Sequence, residues 1–324
     1  MIKVLISGVG SDVAQGVIKC LNESELELKI YKIGASPQDS WLYLDELSYL
    51  SPKVVEPGYV DYICNFISNH KIDVFMPCID SEIKMISENK TLIENTTGAS
   101  VFVGDLHNIE ICDDKLKTSN FLRENGFSYP KTWPADTLPP NTQLPLILKT
   151  RKGCGSRDIQ KIVNYNQLSS LLNSEEYILQ EYLEGDEYTA GIYLGDDGEV
   201  KGNCIFKRKL KDGSTYQAER VIDEHMENYL NRIAKQLGLK YVNIQFRLKD
   251  GLPCPFEFNG RFSGTTGMIR RVFNAPDMML RELVLKLNLT KSSNKEKFYV
   301  MRHYNEIYAS EEDVRLLVNR SKND

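Results

Sequence analysis

Two stretches near the C-terminal third hold the residue types best suited to chemistry. Residues 241–249 read YVNIQFRLK, with Val242, Ile244, Phe246 and Leu248 alternating with Asn243, Gln245 and Arg247. Residues 253–264 read PCPFEFNGRFSG, where Glu257, Asn259 and Arg261 fall at every second position of an otherwise apolar run. Side chains of a strand alternate between two faces, so each stretch predicts one apolar face and one polar face. The KDGLP between them is a hairpin signal. Directly opposed residues of a hairpin must share a face, which tests the register. A two-residue turn at Asp250 and Gly251 would oppose Gln245 to Phe256 and mix the faces. A three-residue turn pairs Lys249 with Pro253, Gln245 with Glu257 and Asn243 with Asn259, and is therefore expected. Oxygen donors grouped this way suit a hard divalent cation, Mg²⁺ or alternatively Mn²⁺, that keeps positions for water and phosphate. Arg261 adds a planar fork for a phosphoryl or carboxylate oxygen. The following SGTTG reads as the opening of a helix, whose free N–H groups favour anions.

A second set of residues suits phosphates. Lys149 is the only charged residue of the apolar run 144–149, and Lys115 stands earlier, at a helix start. After Lys149 comes the basic, glycine-containing loop RKGCGSR. Fixed cations and free backbone N–H groups under a mobile cover are what a nucleoside triphosphate requires. No G-x-x-x-x-G-K-[ST] occurs, so this is not a P-loop.

The elements that must position these groups are legible in outline. Ile2–Ile6, a glycine-containing turn and a periodic VIKCL form strand, turn and helix, and further strands are expected at 28–33 and 74–76. These predict a parallel α/β domain over the first hundred or so residues. The turn has Gly8 and Gly10 but Val13 where a dinucleotide fingerprint needs glycine, so the glycines are read as serving a tight turn. Asp80 and Glu82 follow the 74–76 strand, where open α/β sheets place ligand groups, although Glu82 also suits a helix cap. Beyond residue 126 lie a proline-studded loop, strands at 145–150, 159–163 and 177–182, a helix at 166–172, and a hairpin of 188–194 with 200–206. That pattern is α+β.

The ordered set Lys115, Lys149, GCGSR, QEYLEGDE at 180–187 and Gln245…Glu257-x-Asn259-x-Arg261 resembles the ATP-grasp superfamily, especially its carbamoyl-phosphate synthase large-subunit and carboxylate–amine ligase branch. The resemblance implies a parallel α/β pre-grasp domain over 1–108, an N-lobe with the phosphate-covering loop over 109–182, a C-lobe with the metal site over 183–318, and a flexible tail over 319–324. It implies ATP as the nucleotide, contacted by Lys115, Lys149 and the lid residues Gly153, Gly155 and Ser156. It further implies a hinge at Glu181 and Leu183 that reads adenine, and Glu187 on the ribose. Gln245, Glu257 and Asn259 then become metal ligands, and Lys149 and Arg261 the groups that steady the transferring phosphoryl. The implied activity is an ADP-forming C–N ligase working through an acyl phosphate. An acceptor other than an amine, or a nucleotide-binding module without turnover, are the competing readings. Asp80, Glu82, Arg208 and Arg270 are candidates for substrate contacts.

Composition sets the outer bounds. The chain has 324 residues, a formal charge of −5 and a pI near 5.6, which argues against nucleic acid as the partner. Seven scattered cysteines without a C-x-x-C pair fit a reducing, cytoplasmic setting. No apolar run is long enough to span a membrane. Four unclustered histidines argue against zinc and histidine catalysis. The expected partners are a small-molecule carboxylate and an amine, with a homodimer left open.

Overall fold

The computed structural model describes residues 1–139, 141–153, 159–168 and 176–322. The N-terminal part is the parallel α/β domain that its strand–turn–helix pattern predicts. Strands β1 (Ile2–Ile6), β2 (Leu28–Gly34), β3 (Ser48–Leu50), β4 (Val74–Met76) and β5 (Ser100–Val101) form a five-stranded sheet in the order β3-β2-β1-β4-β5. Helices α1 (Asp12–Asn22), α2 (Tyr59–His70) and α3 (Asp80–Thr97) connect them. The central strand β1 buries Val4, Leu5 and Ile6 completely, as a strand covered on both faces must.

Helices α4 (Leu106–Asp113) and α5 (Lys115–Glu124) meet at Asp114, whose carboxylate caps α5 by accepting from the Leu116 and Lys117 N–H groups. Strands β6 (Thr132–Pro134), β7 (Leu146–Thr150), β8 (Gln160–Ile162) and β9 (Tyr177–Glu181) form a small antiparallel sheet ordered β6-β9-β7-β8. It has its own core of Ala135, Leu146, Leu148, Ile162 and Leu179. The helix expected from residue 166 is a 3₁₀ turn at Tyr165–Leu168, and the rest of that stretch lies outside the described residues.

The third sheet has six antiparallel strands: β10 (Glu187–Leu194), β11 (Val200–Lys211), β12 (Ser214–Val221), β13 (Tyr241–Lys249), β14 (Leu252–Asn259) and β15 (Tyr299–Met301). They run in the order β14-β13-β10-β11-β12-β15. Ile192, Ile205 and Ile244 share a core with α6 (Glu224–Leu237), whereas Tyr193, Phe206 and Tyr241 share one with α1, α7 (Thr266–Ile269) and α8 (Ala275–Leu283). The sheet is thus a wall whose second face looks at the N-terminal domain. There α1 and α7 touch backbone to backbone: a Cβ on Gly16 would stand 3.0 Å from the Gly267 nitrogen, and one on Gly267 would stand 2.9 Å from the Gly16 Cα. The loop after β14 binds as the single turn α7, four residues long, instead of the longer helix that SGTTG suggests.

Residues 319–322 correct the flexible-tail expectation. They complete α9 (Glu311–Lys322), which returns to the N-terminal domain and docks on β3. Ser321 Oγ accepts from the Leu50 N–H at 2.7 Å, and Arg320 donates to the carbonyls of Glu46 at 2.6 Å and Ser48 at 3.1 Å.

Candidate active site

The β13–β14 hairpin brings Gln245 opposite Glu257 and Asn243 opposite Asn259, the expected pairs. The turn that does so differs from the expected one. Lys249 pairs with Leu252 across a two-residue turn of Asp250 and Gly251, both in the left-handed region at φ 52° and 78°. Parity is restored by a β-bulge: Phe246 faces Pro255, so Phe256 is the extra residue. Prolines 253 and 255 lack N–H groups and fit this irregular edge strand. The bulge also moves Phe256 from the apolar face to the wall of the cleft beside Glu257.

Around Glu257 the oxygen-bearing groups converge. Its Oε1 accepts from Gln245 Nε2 at 3.2 Å and Asn259 Nδ2 at 3.4 Å. Asn243 is tied back to Thr189 Oγ1 at 2.7 Å, which fixes the base of the cluster. Among the described residues no ion pair engages Glu257. Both amides turn their N–H groups to Glu257, and Gln245 Oε1 accepts from Arg208. With the amides rotated so that their oxygens face the carboxylate, the set fits Mg²⁺ accompanied by phosphates, since that ion takes one or two carboxylates and keeps its other positions for water and phosphate. It does not resemble an all-protein cage, and no group of three His, Cys, Asp or Glu occurs among the described residues.

The two lysines come from different elements and meet over the same space. Lys149 on β7 is 6% exposed, and its ammonium lies 5.4 Å from the centre of the Phe256 ring. Burial lowers its pKa to about 8; Glu257 and Glu187 pull upward while Lys115 pushes further down. Lys115, the first residue of α5, donates from Nζ to the Gly153 carbonyl at 2.6 Å. A clamp not anticipated from sequence sets both: Arg151 Nε reaches the Asp114 carboxylate at 3.0 and 2.9 Å, and the Lys115 N–H donates to the Arg151 carbonyl at 3.0 Å. Burial alone would raise the Asp114 carboxyl, but Arg151 and the Lys117 and Leu116 N–H donors hold it below the usual range. Gly153 lines the cleft; Gly155 and Ser156 lie outside the described residues.

Glu181 ends β9 and pairs with Lys249 at 2.6 Å. Leu183, beyond it, lines an apolar slot with Ile147, Ile159 and Phe256. Glu187 is held between two arginines. Arg208 donates to its Oε1 from Nη2 at 2.7 Å, and Arg247 donates to its Oε2 at 3.1 Å. Arg208 also donates to Gln245 Oε1 at 2.7 Å, so it reaches the oxygen cluster itself. Arg247 lines the slot as well, a placement that its alternation on the polar face of β13 could have suggested.

At the far end, Arg261 forms a forked pair with Asp80 of α3; its Nε lies 2.7 Å from Oδ1, and Nη2 contacts Oδ2. Two candidates are corrected. Glu82 is fully buried and receives Ser7 Oγ, Tyr59 OH at 2.6 Å, and the Cys78 and Ile79 N–H groups at 2.8 and 3.0 Å. It therefore stitches β1 to β4 and α3 and has no surface to offer a substrate. Burial raises its pKa, with those donors opposing. Arg270 points to α1, where it pairs with Glu23 at 2.7 Å and donates to the Gly267 carbonyl, outside the cleft.

Three adjoining cavities join these groups. The slot at Leu183, of about 130 Å³, shares Lys149, Glu187 and Phe256 with a middle cavity of about 160 Å³. That cavity shares Lys115, Gly153 and Glu257 with one of about 50 Å³ reaching Asn259, Arg261 and Asp80. The result is one cleft with an apolar end, a cationic and oxygen-rich middle, and a guanidinium end.

Residues 112–265, which contribute most of this cleft, match the family model described as an ATP-grasp domain. The chain places this matched stretch behind the parallel α/β domain. It is 23% identical over 222 residues to the carbamoyl phosphate synthase large chain of a Thermoanaerobacter species, covering 60% of this chain and 20% of that one. It is 26% identical over 173 residues to D-alanine–D-alanine ligase A of Bacillus cereus, covering 46% of this chain and 57% of the ligase. The chain thus spans about a fifth of that synthase and little more than half of that ligase. Among solved structures, N5-carboxyaminoimidazole synthetase from Staphylococcus aureus, complexed with ADP, superposes with a TM-score of 0.72 at 14% identity, over 93% of this chain and 82% of that one. L-amino acid ligase from Bacillus licheniformis does so with a TM-score of 0.65 at 14% identity, over 87% and 74%. These superpositions establish the shared fold. No helix among the described residues is long and apolar enough to cross a membrane.

Proposed function

We propose that the chain is an ATP- and Mg²⁺-dependent ligase that joins a small carboxylate to an amine. The observation that carries this reading is the continuous cleft, whose three chemical zones follow one another in the order a nucleotide and a carboxylate require. The apolar slot with Leu183 and the backbone after Glu181 receives adenine. Glu187 faces the ribose, and Lys115, Lys149 and the Gly153 backbone take the phosphates. Gln245, Glu257 and Asn259 would hold Mg²⁺, which when bound neutralises phosphate charge.

A substrate carboxylate oxygen attacks the γ-phosphorus, and the bond to the bridging oxygen of ADP breaks as the new O–P bond forms. Lys149 and Arg261 offset the charge spread over the transferring group. The amine then attacks the acyl carbon; a C–N bond forms, inorganic phosphate leaves with the former carboxylate oxygen, and the amine proton passes to solvent. No side-chain nucleophile is needed. Asp80, held against Arg261, would meet an ammonium group at that end.

The test is ADP release from MgATP with a pooled panel of carboxylates and amines, alongside Glu257→Gln. Release that requires both components and disappears in the variant is the expected result. Nucleotide binding without turnover across a broad panel would favour a binding module, and no nucleotide binding would overturn the reading.

A further inference from the structure

A larger cavity, of about 290 Å³, lies on the same face of the six-stranded sheet as the cleft, and none of the groups above uses it. One wall is a single face of α1, with Asp12, Gln15, Gly16 and Lys19 at helical spacing. The opposite wall is the tip of the β11–β12 hairpin, from Lys211 to Tyr216, and the floor is Arg302 to Tyr304 after β15. Three chain segments far apart in sequence thus enclose one polar space.

Its lining carries three cations, Lys19, Lys211 and Arg302, against two carboxylates, Asp12 and Asp212. Arg302 is committed to Asp12, 2.9 Å away, and to the Gly264 carbonyl of the loop that follows Arg261. Lys211 lies 5.4 Å from the ring centres of both Tyr216 and Tyr304, and Lys19 lies 5.6 Å from that of Trp41. Neither lysine forms an ion pair among the described residues. Burial lowers the Lys19 pKa, and Arg270 and Arg302 nearby add to the shift. Among the described residues the cavity and the cleft share no lining residue but adjoin across one contact. Thr215, 4% exposed on its wall, accepts from Arg208 Nη1 at 3.2 Å, and the same guanidinium reaches Gln245 at 2.7 Å. Leu210, the hairpin partner of Thr215, lines the middle of the cleft.

We propose that this cavity binds the acid substrate and that the substrate is dianionic: one carboxylate is activated beside Arg208, and a second anionic group is held by Lys19 and Lys211. This deepens the ligase reading and rests on it for the activated carboxylate only. The second group is defined by its charge, which a carboxylate or a phosphate ester supplies equally.

The test measures binding and turnover separately. Protein with MgATP is titrated with matched pairs: butyrate against glutarate for a second carboxylate, and glycolate against phosphoglycolate for a phosphate. Wild type is compared with Lys19→Gln, Lys211→Gln and the surface control Lys235→Gln, which lies in an exposed pair with Glu199. One dianion should bind at least about tenfold more tightly than its monoanionic partner, and each cavity variant should remove most of that preference. Whichever pair responds identifies the second group. Lys235→Gln should leave the preference intact, and the ATP dissociation constant should not change in either cavity variant. Equal affinity for both members of both pairs, or a preference that survives both cavity substitutions, overturns the proposal while leaving the ligase reading intact if MgATP still binds. Failure to bind MgATP sinks the ligase reading, and dianion binding without nucleotide then still decides the cavity.

Discussion

Glu82 stands in the first turn of α3, after β4, and Glu257 near the end of β14, and their surroundings differ in one respect. Glu82 meets four donors from the protein and is wholly shielded. Glu257 meets two amide donors at long range and faces a cleft. A buried carboxylate whose oxygens are all occupied by its own chain holds a fold together. One left short of partners at the edge of a cleft is available to a ligand. The contrast separates architecture from chemistry more clearly than the sequence spacing of either residue.

Exchanging the two carboxylates' fates is the strongest test. Glu257→Gln should lower ADP release by about 10³-fold or more while shifting Tm by about 1 °C or less. Glu82→Ala should destabilise the chain by about 3 kcal/mol, read from chemical denaturation, because it strands four buried donors. Comparable stability losses in both variants would erase the contrast.

Lys149 sharpens it on the cationic side. Its folded pKa of about 8 lies below the ordinary 10.5, so the unfolded chain binds more protons between those values and stability should rise with pH across that window. Turnover should move the other way: kcat/KM for ATP should fall as pH rises through about 8, because the charged form is the one that meets phosphate. Lys149→Met should accordingly abolish turnover yet raise Tm by about 2 °C. The smallest effect is expected at α9, where Arg320→Ala should lower Tm by about 1 °C by freeing the C-terminal segment from β3.

Much of the site was legible because the signal was local. Strict alternation placed Gln245, Glu257 and Asn259 on one face, and the strand–turn–helix opening announced the parallel domain. The turn was misjudged because a bulge adds one residue without altering composition, although Pro253 and Pro255 were signs of an irregular edge. Glu82 showed both of its readings in sequence, and only the approach of Ser7 and Tyr59 from other elements decided between them. The clamp of Asp114 with Arg151, the grip of two arginines on Glu187 and the cavity between α1 and the β11–β12 tip share one cause of illegibility. Each joins segments that no periodicity links.

The contact between Gly16 and Gly267 has a mechanical consequence. With no side chain between them, the two backbones have no compliant layer to slide on, and α9 is tied to β3 of the same N-terminal domain. The N-terminal domain and the six-stranded sheet therefore meet without a deformable layer between them. The four-stranded sheet keeps a small core of its own. Lys149 belongs to the four-stranded sheet and Glu257 to the six-stranded one, so any displacement between the two would be read directly in the gap between those side chains.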